Sequence, residues 1–246
     1  MIDLRRIAGH RLETDPYGWA AVDALFSPRD AAALAATFPR DHYKRMADYG
    51  GEKDLEYECR ELIGMGAALP SRADALSAPW RALARDLLSP AYRAAVGALT
   101  GLALDDVDEA PLEVLAFHYP PGGQMGPHPD LKDKIVTHVL YFNAEWNDTD
   151  GGRLAILRSS DPASIAAAVS PVVGNSAFIV RSAVSWHAVT PLAKSCRISR
   201  RAVTATFYRP GSVSTMWPPG QEARLHRYAS TRTESWLDRL AGPFRR

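Results

Sequence analysis

From Pro111 onward the chain consists of short β-branched and aromatic runs separated by Gly, Pro, Asn and Asp. LEVLAFHY, IVTHVLYF, GRLAIL, SAFIV and AVTATFY have strand length and composition, with weaker pieces at SPVV and SWHAV. Many short strands at this spacing, each closed by a turn signal, specify an all-β sandwich or barrel, and a jelly roll suits their number and order. The residues before Pro111 read differently. SPRDAAALAATF has Ser27 as N-cap, Pro28 at the first helical position and Asp30 three residues on, a sound helix start. SAPWRALARDLL and SPAYRAAVGALTG open in the same way, the second stopping near Gly101, and YGWAAVDALF reads as a strand. The expected fold class is therefore α+β, a jelly-roll core with helices from the N-terminal half packed on one side. We expect one domain over 1–246: a mainly helical support region at 1–110, the jelly roll at 111–210, and an extension at 211–246 whose ESWLDRL is a short amphipathic helix.

Composition narrows the function classes. At 246 residues and 46% hydrophobic, the chain can build a core without disulfides or structural metals. Its 29 basic and 28 acidic residues leave a net charge of +1, which removes the electrostatic case for nucleic acid or an anionic membrane. The basic RISRR at Arg197 to Arg201 is too short to change that. Cys59 and Cys196 form no CxxC and no zinc spacing, so both are expected as free thiols in a reducing compartment. No signal-peptide-like or membrane-spanning run is evident, and a soluble cytoplasmic protein is the expectation. Oligomeric state is not legible.

The chemistry concentrates in GPHPDLKDK, which follows the glycine-rich HYPPGGQMG and precedes IVTHVLYF. Side chains alternate along an extended segment, so His128 and Asp130 face the same way and can grip one ion. A third donor must come from elsewhere, and there are seven histidines to choose from. His187, in VSWHAVTP, is placed by a turn and a strand at the same barrel. Two imidazoles and a carboxylate leave about three octahedral positions open, the arrangement that suits non-haem Fe(II) oxygenases.

The order HPD, VTHVLYFNAEWNDTDGGRLAIL, SPVVGNSAFIV, SWHAV and RRAVTATFY resembles the prolyl-hydroxylase-like branch of the Fe(II)/2-oxoglutarate-dependent dioxygenases over about Leu112 to Pro210. The resemblance implies a distorted double-stranded β-helix with iron on His128, Asp130 and His187. It also implies 2-oxoglutarate chelating that iron, O2 as co-substrate, and a basic residue on a late strand meeting the remote carboxylate. Strand register places Arg200 there, with Ala202, Thr204 and Thr206 on its face, while Arg197 in RIS is the alternative. Tyr119 and Tyr141 match family positions that contact the cosubstrate. A halogenating relative replaces the carboxylate of HxD with a small residue, so the intact Asp130 implies hydroxylation coupled to decarboxylation of 2-oxoglutarate to succinate.

Other residues call for plainer readings. His118 and His138 have the opposite parity to Tyr119 and Tyr141 and are expected to pack outward. Trp146 with Gly151 and Gly152 should serve a turn, and Arg153 departs from the acidic or small residue usual after GG. Arg60 reads as a helix-surface arginine, with pairing to a substrate carboxylate the other possibility, and Arg181 and Trp186 stay open. The substrate is expected to be a small molecule, such as an amino acid or biosynthetic intermediate. A protein residue hydroxylase is the alternative, and a catalytically silent metal- or metabolite-binding jelly roll is the rival from another class.

Overall fold

The computed structural model describes residues 1–48, 55–218, 220 and 224–228. The α-helices α1 (Leu4–Ala8), α2 (Pro28–Ala36), α3 (Ala78–Leu87) and α4 (Pro90–Thr100) precede the jelly roll. Local sequence explains their ends. The Ser27 hydroxyl accepts the Asp30 N–H to start α2, Ser89 accepts that of Tyr92 to start α4, and Gly101 ends α4 in the left-handed conformation. Ser77 precedes α3 without capping it, its hydroxyl going to Thr37 instead.

Three strands also lie in this half: β1 (Trp19–Val22), β2 (Lys44–Asp48) and β3 (Leu55–Ile63). β1 was expected; β2 and β3 were not. The charged residues of LEYECRELI mask its strand character, yet β3 pairs with both β4 (Leu112–Tyr119) and β5 (Gln124–His128). The reading of Arg60 as a helix-surface residue is thereby corrected, since it sits fully buried on β3 with Asp41 at 3.4 Å. The remaining strands are β6 (Lys134–Tyr141), β7 (Leu154–Leu157), β8 (Ile165–Val169), β9 (Ser176–Val180), β10 (His187–Val189) and β11 (Arg200–Tyr208). β8 escaped notice because IAAAV is rich in alanine, and β5 because Gly126 and Pro127 are poor strand formers. SPVV contributes a single parallel bridge, Val172 to Asn143. ESWLDRL lies outside the described residues.

The strands run antiparallel in the order β1-β9-β6-β11-β4-β3-β5-β10-β7-β8, with β2 outside β3. The β3–β5 pairing joins a larger half, β1 to β3 in that order, to a smaller half, β5-β10-β7-β8. Residues of both halves share interior clusters, for example Tyr141 and Ala202 with Leu154 and Ile156. This is the jelly roll with helices on one side. The helices cover the outer face of the larger half, where Phe142 packs on Trp80 at 4.7 Å and Trp80 meets Phe38 edge-on at 5.1 Å. β4 is consequently buried along its whole length. His138 lies on this outer face, stacked on Phe178 at 3.8 Å and bonded to the Tyr92 hydroxyl, and burial pushes its pKa down to about 3.

His118, also on the outer face, takes part in a clasp. Its Nδ1 and the Nε2 of His226 both lie 2.8 Å from the Glu58 carboxylate, Tyr228 stacks on His118 at 3.8 Å, and Tyr43 and His226 exchange backbone hydrogen bonds. The segment around His226 is thus tied to the back of β3. Burial works to raise the Glu58 pKa, but the two imidazoles outweigh it and hold the group down at about 2 from 4.5. A carboxylate depressed in the folded state contributes stability above its unfolded pKa and loses it as pH falls toward the folded one. Between pH 4.5 and pH 2 the urea midpoint of the wild type should therefore fall more steeply than that of Glu58→Gln; parallel curves would show that the clasp adds nothing.

Candidate active site

His128 ends β5 and His187 begins β10, and the antiparallel pairing of these strands sets the two residues directly opposite each other. Their rings lie 4.4 Å apart between centroids. Each ring is oriented by its own backbone: Nδ1 of His128 lies 2.8 Å from the Gly126 carbonyl, and Nδ1 of His187 lies 2.9 Å from that of Ser185. A carbonyl can only accept, so each Nδ1 carries the proton and the lone pair stays on Nε2. Asp130 follows β5 on the turn into β6, where the Arg181 guanidinium donates to its carbonyl. Ligand atoms of His128, Asp130 and His187 all lie within 4.8 Å of one another, and all three residues are buried. Two imidazole lone pairs and one carboxylate converging from one side fit a divalent ion with open coordination positions.

Two donors hold the carboxylate. The Lys134 ammonium reaches Oδ1 at 2.6 Å and the Thr137 hydroxyl reaches Oδ2 at 2.9 Å. Burial alone would raise this carboxyl's pKa; Lys134 and then the two histidines reverse that and hold it well below the usual range. Neither Lys134 nor Thr137 was singled out from sequence, although Lys134 stands at the i+4 position in DLKDK. Tyr17 was also missed; its hydroxyl donates to the Trp186 carbonyl at 2.7 Å and steadies the approach to His187.

The cavity around the trio has a volume of about 320 Å³. At one end lies Arg200, 2% exposed, its guanidinium 4.8 Å from the Tyr119 ring centre and 5.3 Å from that of Tyr141. Among the described residues no ion pair to Arg200 is formed, and the buried Tyr141 hydroxyl lies toward its guanidinium. Burial pushes the Tyr119 phenol up to about 12, so it stays a neutral donor. A buried guanidinium beside two phenols, with no protein anion to neutralise it, fits the remote carboxylate of a dicarboxylic acid. Arg200, Ala202, Thr204 and Thr206 all line the cavity, as their shared parity predicts. Arg197 is exposed on the preceding loop and does not line it.

The glycine pair does more than turn the chain. Gly151 and Gly152 have φ of +69° and +67°, and a Cβ on Gly152 would meet Trp146 at 2.9 Å. The Gly152 carbonyl then accepts the Arg200 Nε–H at 2.7 Å, fixing the guanidinium. Arg153 points away, donating to the Ala168 carbonyl. Arg60 is not among the cavity residues, nor is Arg181 or Trp186.

Residues 114–209 match the family model of the 2OG-Fe(II) oxygenase superfamily. The matched stretch spans the strands that carry the His-Asp-His group and Arg200 described above, and the chain is similar to that superfamily over those residues. The fold is similar to that of a Pseudomonas putida prolyl-4-hydroxylase, at 21% identity and TM-score 0.55 over 82% of this chain and 98% of that one. It is also similar to the α-ketoglutarate-dependent epimerase SnoN of nogalamycin biosynthesis, at 16% identity and TM-score 0.53 over 93% and 94%. A prolyl hydroxylase in complex with a hypoxia inducible factor peptide, from Trichoplax adhaerens, matches at 12% identity and TM-score 0.52 over 84% and 89%. Among curated proteins none is significantly similar in sequence. No helix among the described residues is long and apolar enough to cross a membrane.

Thr137→Val keeps the shape of a buried side chain but leaves Oδ2 of Asp130 without its donor. A hydrogen bond to a charged group contributes about 1.5–3 kcal/mol, so the ion-free variant should unfold at lower urea by that free energy. An unchanged midpoint would mean that Thr137 does not restrain the carboxylate.

Proposed function

We propose that this chain hydroxylates an unactivated C–H bond of a small molecule, with His128, Asp130 and His187 as ligands of Fe(II) and Arg200 as the anchor of 2-oxoglutarate. The observation that carries the reading is that the ligand trio and an anion-free guanidinium face one enclosed cavity. Bound iron with 2-oxoglutarate and O2 would supply the oxidising power, with decarboxylation to succinate as the coupled product. The chain's own contribution is placement. Nε2 of both histidines and one Asp130 oxygen would hold the ion, which has room for exchangeable ligands beyond these three. Arg200, held by Gly152, would meet the far carboxylate of the cosubstrate, Tyr119 and Tyr141 would offer it neutral hydroxyls, and Thr204 lines the same cavity. Arg197, exposed and outside the cavity, is the weaker candidate for this role. In this reading 111–210 holds the ligands and the anchor, while 1–110 adds the outer helices, three strands of the sheet and the cavity residues Met46, Leu55 and Tyr57.

Two features support a small substrate. A cavity of about 320 Å³ lies at the low end of the usual 300–1,000 Å³ for ligand sites and must hold the cosubstrate as well. Part of the lining is apolar, with Met46, Leu55, Met125 and Met216 around Tyr57, which suits an apolar small molecule. The second reading, a hydroxylase of residues in a protein, is favoured by the similarity in fold to prolyl hydroxylases. Succinate release separates the two: stimulation by small apolar metabolites supports the first and stimulation only by peptides supports the second.

Anaerobic addition of Fe(II) and 2-oxoglutarate should produce a weak visible absorption band. Arg200→Met should raise the 2-oxoglutarate concentration needed for that band by about 10- to 100-fold, the worth of a charge-assisted pair of about 1.5–3 kcal/mol. Arg197→Met should leave it unchanged. No band, together with no succinate in air, would return the chain to a catalytically silent binding module.

A further inference from the structure

We propose that Lys134 competes with the metal ion for Asp130 and so sets how tightly the ion is held, an inference that rests on the reading of His128, Asp130 and His187 as ligands. Both oxygens of Asp130 are engaged by protein donors, Lys134 at 2.6 Å on Oδ1 and Thr137 at 2.9 Å on Oδ2. The two donors are not equivalent. A neutral hydroxyl can share a carboxylate oxygen with an ion seated on the other lone pair. An ammonium within bonding distance of the same carboxylate as a divalent ion places like charges close together where water screens them little. One anion then serves three positive charges. The Asp130 side chain is 4% exposed and cannot leave, whereas that of Lys134 is 19% exposed and borders the cavity, with a flexible stem. Lys134 is therefore the group that yields when the ion enters.

The neighbourhood gives the displaced ammonium a place to remain. Lys134 pairs in register with Tyr208, whose hydroxyl donates to Oε2 of Glu113 at 3.1 Å. Oε1 of the same carboxyl is buried with no hydrogen-bond partner. Burial holds Glu113 above the usual carboxylate range, opposed by hydrogen bonds from Ser214 and Tyr208 and, less, by the nearby Lys134 charge. A second carboxyl group thus lies within the field of this ammonium. Without the ion Lys134 neutralises Asp130; with the ion bound, its field falls on Glu113 and on the cavity.

The test is Mn(II) binding to the full chain, followed by the electron paramagnetic resonance signal of free Mn(II), for wild type, Lys134→Met and Lys134→Gln. Met keeps the bulk without the charge, and Gln retains a neutral donor for Oδ1, so folding need not be lost in both. Both variants should bind Mn(II) about 10-fold more tightly or better, by removal of the repulsion. Their ion-free Tm should fall below wild type because Asp130 loses its counterion, and the rise in Tm on adding Mn(II) should be larger. Folded variants that bind no more tightly than wild type overturn the inference. If His128→Ala and His187→Ala bind Mn(II) as well as wild type, the ligand reading fails and this inference goes with it. If those lose the ion while the Lys134 variants gain nothing, only the role of Lys134 is overturned.

Discussion

The register between β5 and β10 is the constraint on which the site depends. These strands are short, and a slip of one residue would turn one imidazole out of the cavity, because successive side chains point to opposite faces. Several features keep the register. β10 is paired on its other edge with β7, His187 opposite Ile156, and each histidine is bonded to a carbonyl of its own strand approach. The pairing that seats the rings also sets their tautomer, so the same backbone that builds the sheet exposes two Nε2 lone pairs to one point.

The two walls of the cavity divide the electrostatics. Near Arg200 the lining is polar and rigid, with a guanidinium fixed by a carbonyl and two phenols kept neutral by burial. Toward β2, β3 and the segment around Met216 it is apolar and rich in methionine, a side chain that adapts to irregular shapes. The polar lining around Arg200 suits a carboxylate and the methionine-rich lining suits an apolar group. The clasp of Glu58 between His118 and His226 acts on the outer side of β3, whose inner side carries Leu55 and Tyr57 to the cavity. It stiffens the wall against which a substrate would lie.

What the sequence made legible followed from short-range rules. The alternation of His128 and Asp130, the parity of Arg200 with Thr204 and Thr206, and the outward packing of His118 and His138 need only the period of a strand. Ser27, Ser89 and Gly101 needed only cap chemistry. The missed elements were those where long-range packing overrides propensity: β3 with its charges, β8 with its alanines, and β5, where Gly126 and Pro127 fall at an irregularity in the pairing with β10. Arg60 was misread for the same reason. Its burial depends on β3 lying inside the sheet, with β4 on one edge and β2 and β5 on the other, which no local pattern announces. Lys134 stood in plain view at i+4 from Asp130, but on a turn that spacing carries none of the meaning it has on a helix.

The central claim is that His128, Asp130 and His187 close on one ion through two Nε2 atoms and a single carboxylate. Crystals grown with Mn(II) in place of Fe(II), measured for anomalous scattering, test it directly. The account predicts one strong peak in direct coordination with Nε2 of His128, Nε2 of His187 and one oxygen of Asp130. A peak bound through Nδ1, or seated away from these residues, would contradict it.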